Sequence, residues 1–362
     1  MSELDLLRDV IERESPSADK GACDALAAFL RDRLAAAGAA VQLHPNDTAG
    51  AHVEGHFGQG NERPALILCH YDTVWPRGTI EKKPFRVEGN RATGPSIFDM
   101  KTSLVLVDLV LRRLRERPAP RPVAILMTSD EEIGSRTSRA LIEARARDAA
   151  YVLVLEPPLA TGVIKMRRKG VGSFRLEITG RAAHAGLEPE KGISALVELA
   201  HQILRLSELT DLAQGTTVNV GIARGGSAAN VIPGSAEAQI DVRVWTQAEA
   251  ERVSQAIRGA QTIVPGAQIR VTGGLNRPPM ELTPAQEQIF ERARSIAASL
   301  GMELTHGSAG GGSDGNFTTA LGVPTLDGLG CPGDGAHAEH EHILVDRIQP
   351  QADLLTALVR EL

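Results

Sequence analysis

The residues best suited to chemistry in this chain stand where apolar runs end. "LILCHYDT" (residues 66–73) begins as a buried strand and turns polar, with His70 and Asp72 two positions apart. In an extended strand such positions share a face, so the imidazole and the carboxylate project together. "VAILMTS" runs into Asp130-Glu131-Glu132, "YVLVLE" ends in Glu156, and "RATGPSIFDMK" sets Asp99 just ahead of a long helical pattern. "GDGAHAEHEH" near the C-terminus adds His337, His340 and His342. A single acidic residue after a strand is usually a helix cap or a solvated turn, and a lone His-x-Asp is usually a capped hairpin. Several such strand ends together with a histidine cluster call for another explanation. Gathered carboxylates repel one another, and burial makes their charge costly unless a cation joins them. Mixed imidazole and carboxylate donors suit zinc, with manganese or cobalt as substitutes. Two histidines and three carboxylates exceed the needs of one tetrahedral ion. They suit two ions sharing a bridging carboxylate, roughly 3.5–4 Å apart.

Such residues need a scaffold that brings strand ends to one edge. The first half alternates short Val-, Ile- and Leu-rich runs ("ALILCH", "VAILMTS", "YVLVLE") with helical patterns such as "DMKTSLVLVDLVLRRLRER" and "RTSRALIEARARD". That order predicts an α/β sheet, mixed and mostly parallel, with helices on both faces. In open sheets of this kind ligands bind beyond the carboxyl ends of the strands. From about Val171 the texture changes. "SFRLEITG" alternates Phe174, Leu176 and Ile178 with polar partners, and the order from there to "AQIRVTGG" reads β-α-β-β-α-β, the split unit of a ferredoxin-like sandwich. After "LNRPPME" the α/β texture returns, with a helix over Pro284–Leu300. The expected organisation is one domain over 1–170 and 278–362, interrupted by an inserted α+β domain over 171–277 whose half-exposed sheet can pair with a second copy.

The bulk composition narrows the classes. At 362 residues, 42% hydrophobic and 23% charged, the chain reads as a soluble globular protein of two domains. A net charge of −6 without a basic tract argues against nucleic acid and against a membrane surface. "MSELDLLRDVIERESP" places Leu4, Leu7, Val10 and Ile11 at helical spacing and lacks the basic start and apolar core of a signal peptide, so the expected location is cytoplasmic. Cys23, Cys69 and Cys331 are odd in number and far apart, as reduced thiols are. Cys69 should face away from His70.

The segments "HYDTV", "GPSIFDMK", "SDEEIGS", "LEP", "GRAAHAG", "NVIP…DVR" and "GGGSDG…GDGAH" run in order along nearly the whole chain. Together they resemble the co-catalytic di-zinc metallopeptidase family of glutamate carboxypeptidase (carboxypeptidase G), aminoacylase, acetylornithine deacetylase and succinyl-diaminopimelate desuccinylase. "HYDTVWPRG", "GPSIFDMK" and "YVLVLEPP" most resemble the glutamate carboxypeptidase branch.

The resemblance implies a role for each matching position. His70 and Glu156 would bind one zinc ion and Glu132 the other, with Asp99 bridging, and His337 would be the C-terminal ligand. Asp72 would hold the second ring nitrogen of His70. Glu131 would be the general base, taking a proton from the attacking water and passing it to the leaving amine. Glu at position 156 fits the deacylases and carboxypeptidases, whereas family aminopeptidases tend to carry Asp. By spacing alone His337, His340 and His342 are all candidates, and a glycine-led histidine with Glu four residues later matches His337 and Glu341. His184 would cross a dimer interface and stabilise the oxyanion on the scissile carbonyl. Arg243, with Asn230 and Arg277, would bind the substrate carboxylate. Gly310–Gly312 would let backbone come close to the substrate. Ser96 stands where the family commonly has Gly. The expected activity is amide hydrolysis of a small peptide or N-acyl amino acid, releasing a C-terminal glutamate-like residue. Sibling activities are an N-acyl-amino-acid deacylase, a dipeptidase, or an amidase or aminohydrolase on an aromatic acid. The expected assembly is a homodimer. A non-catalytic relative would lack Glu131 or a metal ligand, and all are present.

Overall fold

A computed structural model describes residues 2–159 and 162–362. The chain separates into two compact units. One runs to Arg167 and resumes over Leu282–Ala309 and Ser313–Leu362. The other comprises Arg168–Glu281 with Gly310–Gly312.

In chain order the principal strands are β1 (Ala40–His44), β2 (His52–Phe57), β3 (Ala65–His70), β4 (Val123–Thr128), β5 (Tyr151–Val154), β6 (Ile164–Arg168), β7 (Gly170–Thr179), β8 (Thr217–Gly225), β9 (Ser235–Val244), β10 (Gln268–Arg277), β11 (His306–Ala309) and β12 (Thr325–Asp327). The principal helices are α1 (Glu3–Glu12), α2 (Lys20–Ala36), α3 (Thr102–Glu116), α4 (Arg139–Asp148), α5 (Ala195–Ser207), α6 (Gln247–Arg258), α7 (Pro284–Ser299), α8 (Gly315–Ala320) and α9 (Ile348–Glu361). Side-chain caps start five of them; at α1, Ser2 accepts from Asp5 N in a capping box. Asp19, Ser194, Thr246 and Thr283 accept from the N–H groups of Ala22, Val197, Glu249 and Gln286, opening α2, α5, α6 and α7.

The first unit is built on an eight-stranded sheet in the order β1-β2-β4-β3-β5-β12-β6-β11. Its centre, β4-β3-β5-β12, is parallel, and β1, β2 and β6 pair antiparallel. All residues of β3, β4 and β5 are buried, because helices cover both faces. Alternate residues divide between two cores. Ile67, Cys69, Ile125, Met127 and Leu153 pack with α1, α2, α3, α7 and α9. Leu66, Leu68, Leu126, Val152 and Val154 pack with Ile142 and Ala146 of α4 and Phe317 of α8. The burial of Cys69 in the first of these cores, opposite the face of Leu66 and Leu68, follows from the two-residue period of the strand.

The second unit holds a four-stranded antiparallel sheet, β8-β9-β7-β10. This is the strand order of a ferredoxin-like split β-α-β. Phe174, Leu176 and Ile178 of β7 face a core with Leu199 and Leu206 of α5 and Val253 and Ile257 of α6. The opposite face stays polar, with ion pairs such as Arg175 to Glu237. A further two-stranded ladder joins Ala183–His184 to Val231–Ile232. Among the described residues no helix is long and apolar enough to cross a membrane.

Candidate metal centre

Three central strands end at this site. β3 delivers His70, the turn after β4 delivers Glu131 and Glu132, and the segment after β5 delivers Glu156. The loop before α3 adds Asp99, and the hairpin before His342–Leu344 adds His337. His70 Nε2 lies 3.3 Å from Asp99 Oδ1 and 3.7 Å from Glu156 Oε1. His337 Nε2 lies 3.3 Å from Asp99 Oδ2 and 3.2 Å from Glu132 Oε1. Asp99 thus turns one oxygen to each of two donor groups, His70–Asp99–Glu156 and Asp99–Glu132–His337. His70 is buried, whereas the His337 side chain is 47% exposed, so the second group opens to solvent.

The electrostatics favour positive charge at both groups. Burial works against a charged His70, yet bonds to Asp72 and Asp99 raise its pKa well above the usual 6.5. Hydrogen bonds to Asp99 and Glu132 push His337 up to about 10. Burial opposes the charge of Asp99, but bonds from His337 and His70 hold its carboxyl well below the usual range. Burial raises Glu132, and the bond from His337 only partly offsets it. A cation at each group would supply the same positive charge and displace these protons. The spacing fits as well. Donor atoms about 2.0–2.1 Å from a tetrahedral zinc ion stand about 3.3 Å from one another. The separations seen here cluster around that value, so the donor set suits two ions sharing Asp99.

Asp72 has a wider part than its spacing suggests. The nearer contact of His70 Nδ1 is the main-chain oxygen of Asp72, at 3.1 Å, with the carboxylate at 3.4 Å. The carboxylate also accepts the main-chain N–H groups of Glu131 and Glu132, both at 3.2 Å, and the hydroxyl of Ser17 at 2.7 Å. It therefore sets the imidazole and the acidic turn together. Within "SDEEIGS" the acids diverge. Asp130 folds the turn, accepting from Thr137 N at 2.6 Å and from Ser138 Oγ at 2.6 Å. Glu131, half-buried, bears electrostatically on His70. Asp314 braces the turn from below, accepting Ser135 Oγ at 2.5 Å and Thr128 Oγ1 at 3.2 Å.

All the non-glycine residues with positive φ among the described residues lie in these loops: Ser96 (57°), Ser135 (53°) and His337 (62°). Strained backbone concentrated at one place is a mark of a functional site. It also accounts for position 96. The left-handed conformation there favours Gly, and Ser96 adopts it while its hydroxyl bonds Thr73. Ser17 and Asp314 carried no signal of their own as site residues. Glu341 stood out only as a companion of His337. Among the described residues neither His340 nor His342 joins either group; the main-chain oxygen of His340 instead accepts from the His342 ring, at 2.9 Å.

The second unit brings His184 and Asn230 together. His184 pairs with Val231 across the short ladder, and Asn230 O accepts from Ala185 N at 2.9 Å. His184 is exposed, and its Nδ1 accepts from Gly186 N and Leu187 N, both at 3.1 Å. An accepting Nδ1 leaves the proton of the neutral ring on Nε2. Arg243 is engaged by Asp241 on the same face of β9, Nε to Oδ1 at 2.9 Å and Nη2 to Oδ2 at 3.0 Å. Arg277 is buried at the end of β10. A side chain at Gly310 or Gly311 would meet open space, whereas at Gly312 it would come 2.8 Å from Arg277 Cδ and 3.0 Å from Val171 Cγ2. Gly312 is therefore the sterically restricted member of the run.

A carboxylate-bridged pair of donor groups at the strand ends of an α/β sheet is the arrangement of a metal-dependent hydrolase. The family model "Peptidase family M20/M25/M40" matches residues 66–361, and the chain belongs to that family, an enzyme of its metallopeptidase and amidohydrolase class. Carboxypeptidase G2 of Pseudomonas sp. (strain RS-16) is 31% identical over 86% of this chain and 77% of its own length. Succinyl-diaminopimelate desuccinylase of Thioalkalivibrio sulfidiphilus is 27% identical over 99% of this chain and 98% of its own. In fold, aminopeptidase PepT of Bacillus cereus superposes with a TM-score of 0.79 at 22% identity, covering 99% of this chain and 97% of that one.

Proposed function

We propose that this protein is a glutamate carboxypeptidase-type exopeptidase that uses two zinc ions to cleave an amide bond and release a C-terminal amino acid. The observation that carries the hydrolytic reading is Asp99, with one oxygen turned to each donor group. The likeness to carboxypeptidase G2 and Glu at position 156 support the choice within the family. Manganese or cobalt fits the same donors. When bound, the metal pair polarises the scissile carbonyl and lowers the pKa of water.

The chain's own groups do the rest. Glu131 takes the proton of the attacking water and delivers it to the leaving amine. Asp72 holds the main chain of Glu131 and Glu132, so the base keeps its place beside the ligands. His184 donates from Nε2 to the developing oxyanion, acting from the partner subunit of a homodimer. Arg243, held by Asp241 through Nε and Nη2, offers its remaining guanidinium N–H groups to the substrate carboxylate, with Asn230 and Arg277 assisting. The second unit supports pairing of copies. Edge strand β8 exposes Ile222, and α5 exposes Val197 and Leu204, the last 66% accessible.

The test is a substrate panel. Glutamate-terminated folate-like and peptide-like amides should be turned over with higher kcat/KM than N-acetyl or N-succinyl amino acids, and chelation should abolish turnover. A preference for N-acyl amino acids would move the protein to the deacylases. Full activity after metal removal would end the di-metal reading.

A further inference from the structure

Glu341 lies four residues beyond His337 and is 1% exposed. Its carboxylate accepts four N–H donors. Oε1 takes Phe98 N at 3.0 Å and Asp99 N at 3.1 Å. Oε2 takes Ser96 N and the indole Nε1 of Trp75, both at 3.0 Å. These donors come from two separate loops. Ser96, Phe98 and Asp99 form the loop that presents the bridging carboxylate, and Trp75 follows the strand end that carries His70 and Asp72. Glu341 itself belongs to the hairpin that carries His337. One carboxylate therefore joins the three loops whose relative positions decide whether Asp99 can face both donor groups.

The surroundings reinforce the joint. Lys83 Nζ sits 4.0 Å above the Trp75 ring and donates to Ala338 O at 3.2 Å, holding the indole and the His337 hairpin together. The left-handed turn at Ser96 aims its N–H at Glu341 rather than along the loop. Asp99 needs this restraint. Its main-chain direction decides where its two oxygens point, and its own N–H is one of the bonds to Glu341. Partners of this kind, one bond removed from the metal ligands, fix ligand orientation and tune affinity.

We propose that Glu341 is a positioning residue for the metal pair, holding the Asp99 loop and the His337 hairpin in the one arrangement in which Asp99 serves both groups. The proposal rests on the di-metal reading above. Glu341→Gln keeps the shape but sets an amide NH₂ against N–H donors on one side. The probe is zinc alone, titrated against a chromogenic chelator at a temperature where circular dichroism shows the metal-free protein folded. Wild type should take up two equivalents. Folded Glu341→Gln should bind zinc about 10–100-fold more weakly, with kcat falling and KM changed by less than about twofold, because substrate contacts are untouched. Trp75→Phe removes a single donor and should weaken zinc by roughly 3–10-fold. It decides the matter in the same way if Glu341→Gln does not fold. Wild-type zinc affinity in the folded variant overturns the positioning role while leaving the di-metal reading intact. Failure of the wild type to bind zinc overturns both.

Discussion

At position 99 one side chain faces two ways, and the residues around it have contrasting parts. Glu131 and Glu132 are neighbours in sequence, yet only Glu132 belongs to a donor group with His337 and Asp99. On the reading proposed above, Glu131 lies outside both groups and is the base. Glu131→Gln should therefore retain two metal equivalents and lose kcat on the order of 10²–10⁴-fold. Metal analysis of the purified variant alongside its steady-state kinetics checks this. Near wild-type kcat would reassign the base. Ser96 shows how a non-glycine residue can hold a conformation that favours Gly. It accepts the left-handed backbone and adds a hydroxyl contact to Thr73.

At the scale of elements, the β1–β2 hairpin matters to the site without touching a donor group. Its connecting segment braces the ends of β4 and β3: Gly50 O accepts Ser129 Oγ at 2.5 Å, and Ala51 O accepts the Tyr71 hydroxyl. The hairpin is tied down by Glu54, 1% exposed, which accepts from His44 at 2.6 Å, from His56 at 2.8 Å and from Arg145 Nε of α4 at 2.5 Å. Burial works against its charge, but the bonds from Arg145 and the two imidazoles outweigh it and lower the Glu54 carboxyl below its usual 4.5. The sign follows. A carboxyl with a depressed folded pKa stabilises the fold above its unfolded value, and that stability is lost as pH falls through the folded value. Glu54→Gln should cost about 1.5–3 kcal/mol at pH 7, and the gap from wild type should narrow below about pH 4. Urea unfolding at the two pH values measures it. A gap that stays constant with pH would show that shape, and not charge, is what Glu54 supplies.

At the scale of the whole molecule the open question is whether two copies cooperate. If His184 acts in the partner's site, His184→Ala and Glu131→Gln each disable a homodimer in a different way. After subunit exchange, one of the two sites in a heterodimer combines an intact Glu131 with an intact His184, and activity should partly return. An isologous two-fold interface makes this reciprocal. Light scattering should report a dimer, and labelled subunits should report the exchange. Exchange without recovery would mean that His184 acts within its own chain or not at all.

Much of the architecture was legible before folding because it is written in periods. Runs such as "ALILCH" and "VAILMTS" announce parallel strands buried on both faces, and the alternation in "SFRLEITG" announces a sheet with one wet face. The donor residues stood out for a related reason: polar side chains directly after buried strands are conspicuous, and the fold collects strand ends at one edge. The β1–β2 hairpin was not read, since an edge strand that is only half buried, as "AVQLH" is, has no strong period. Nor was the joint at Glu341, whose donors lie 242 to 266 residues away along the chain. That Asp72 reaches the acidic turn, that Ser17 holds Asp72 and that Asp314 braces the turn were likewise decided only by tertiary structure. Periodicity reports which face of a local segment seeks the core. The partners of a buried carboxylate are chosen by which distant loops meet when the sheet closes, and no local pattern carries that information.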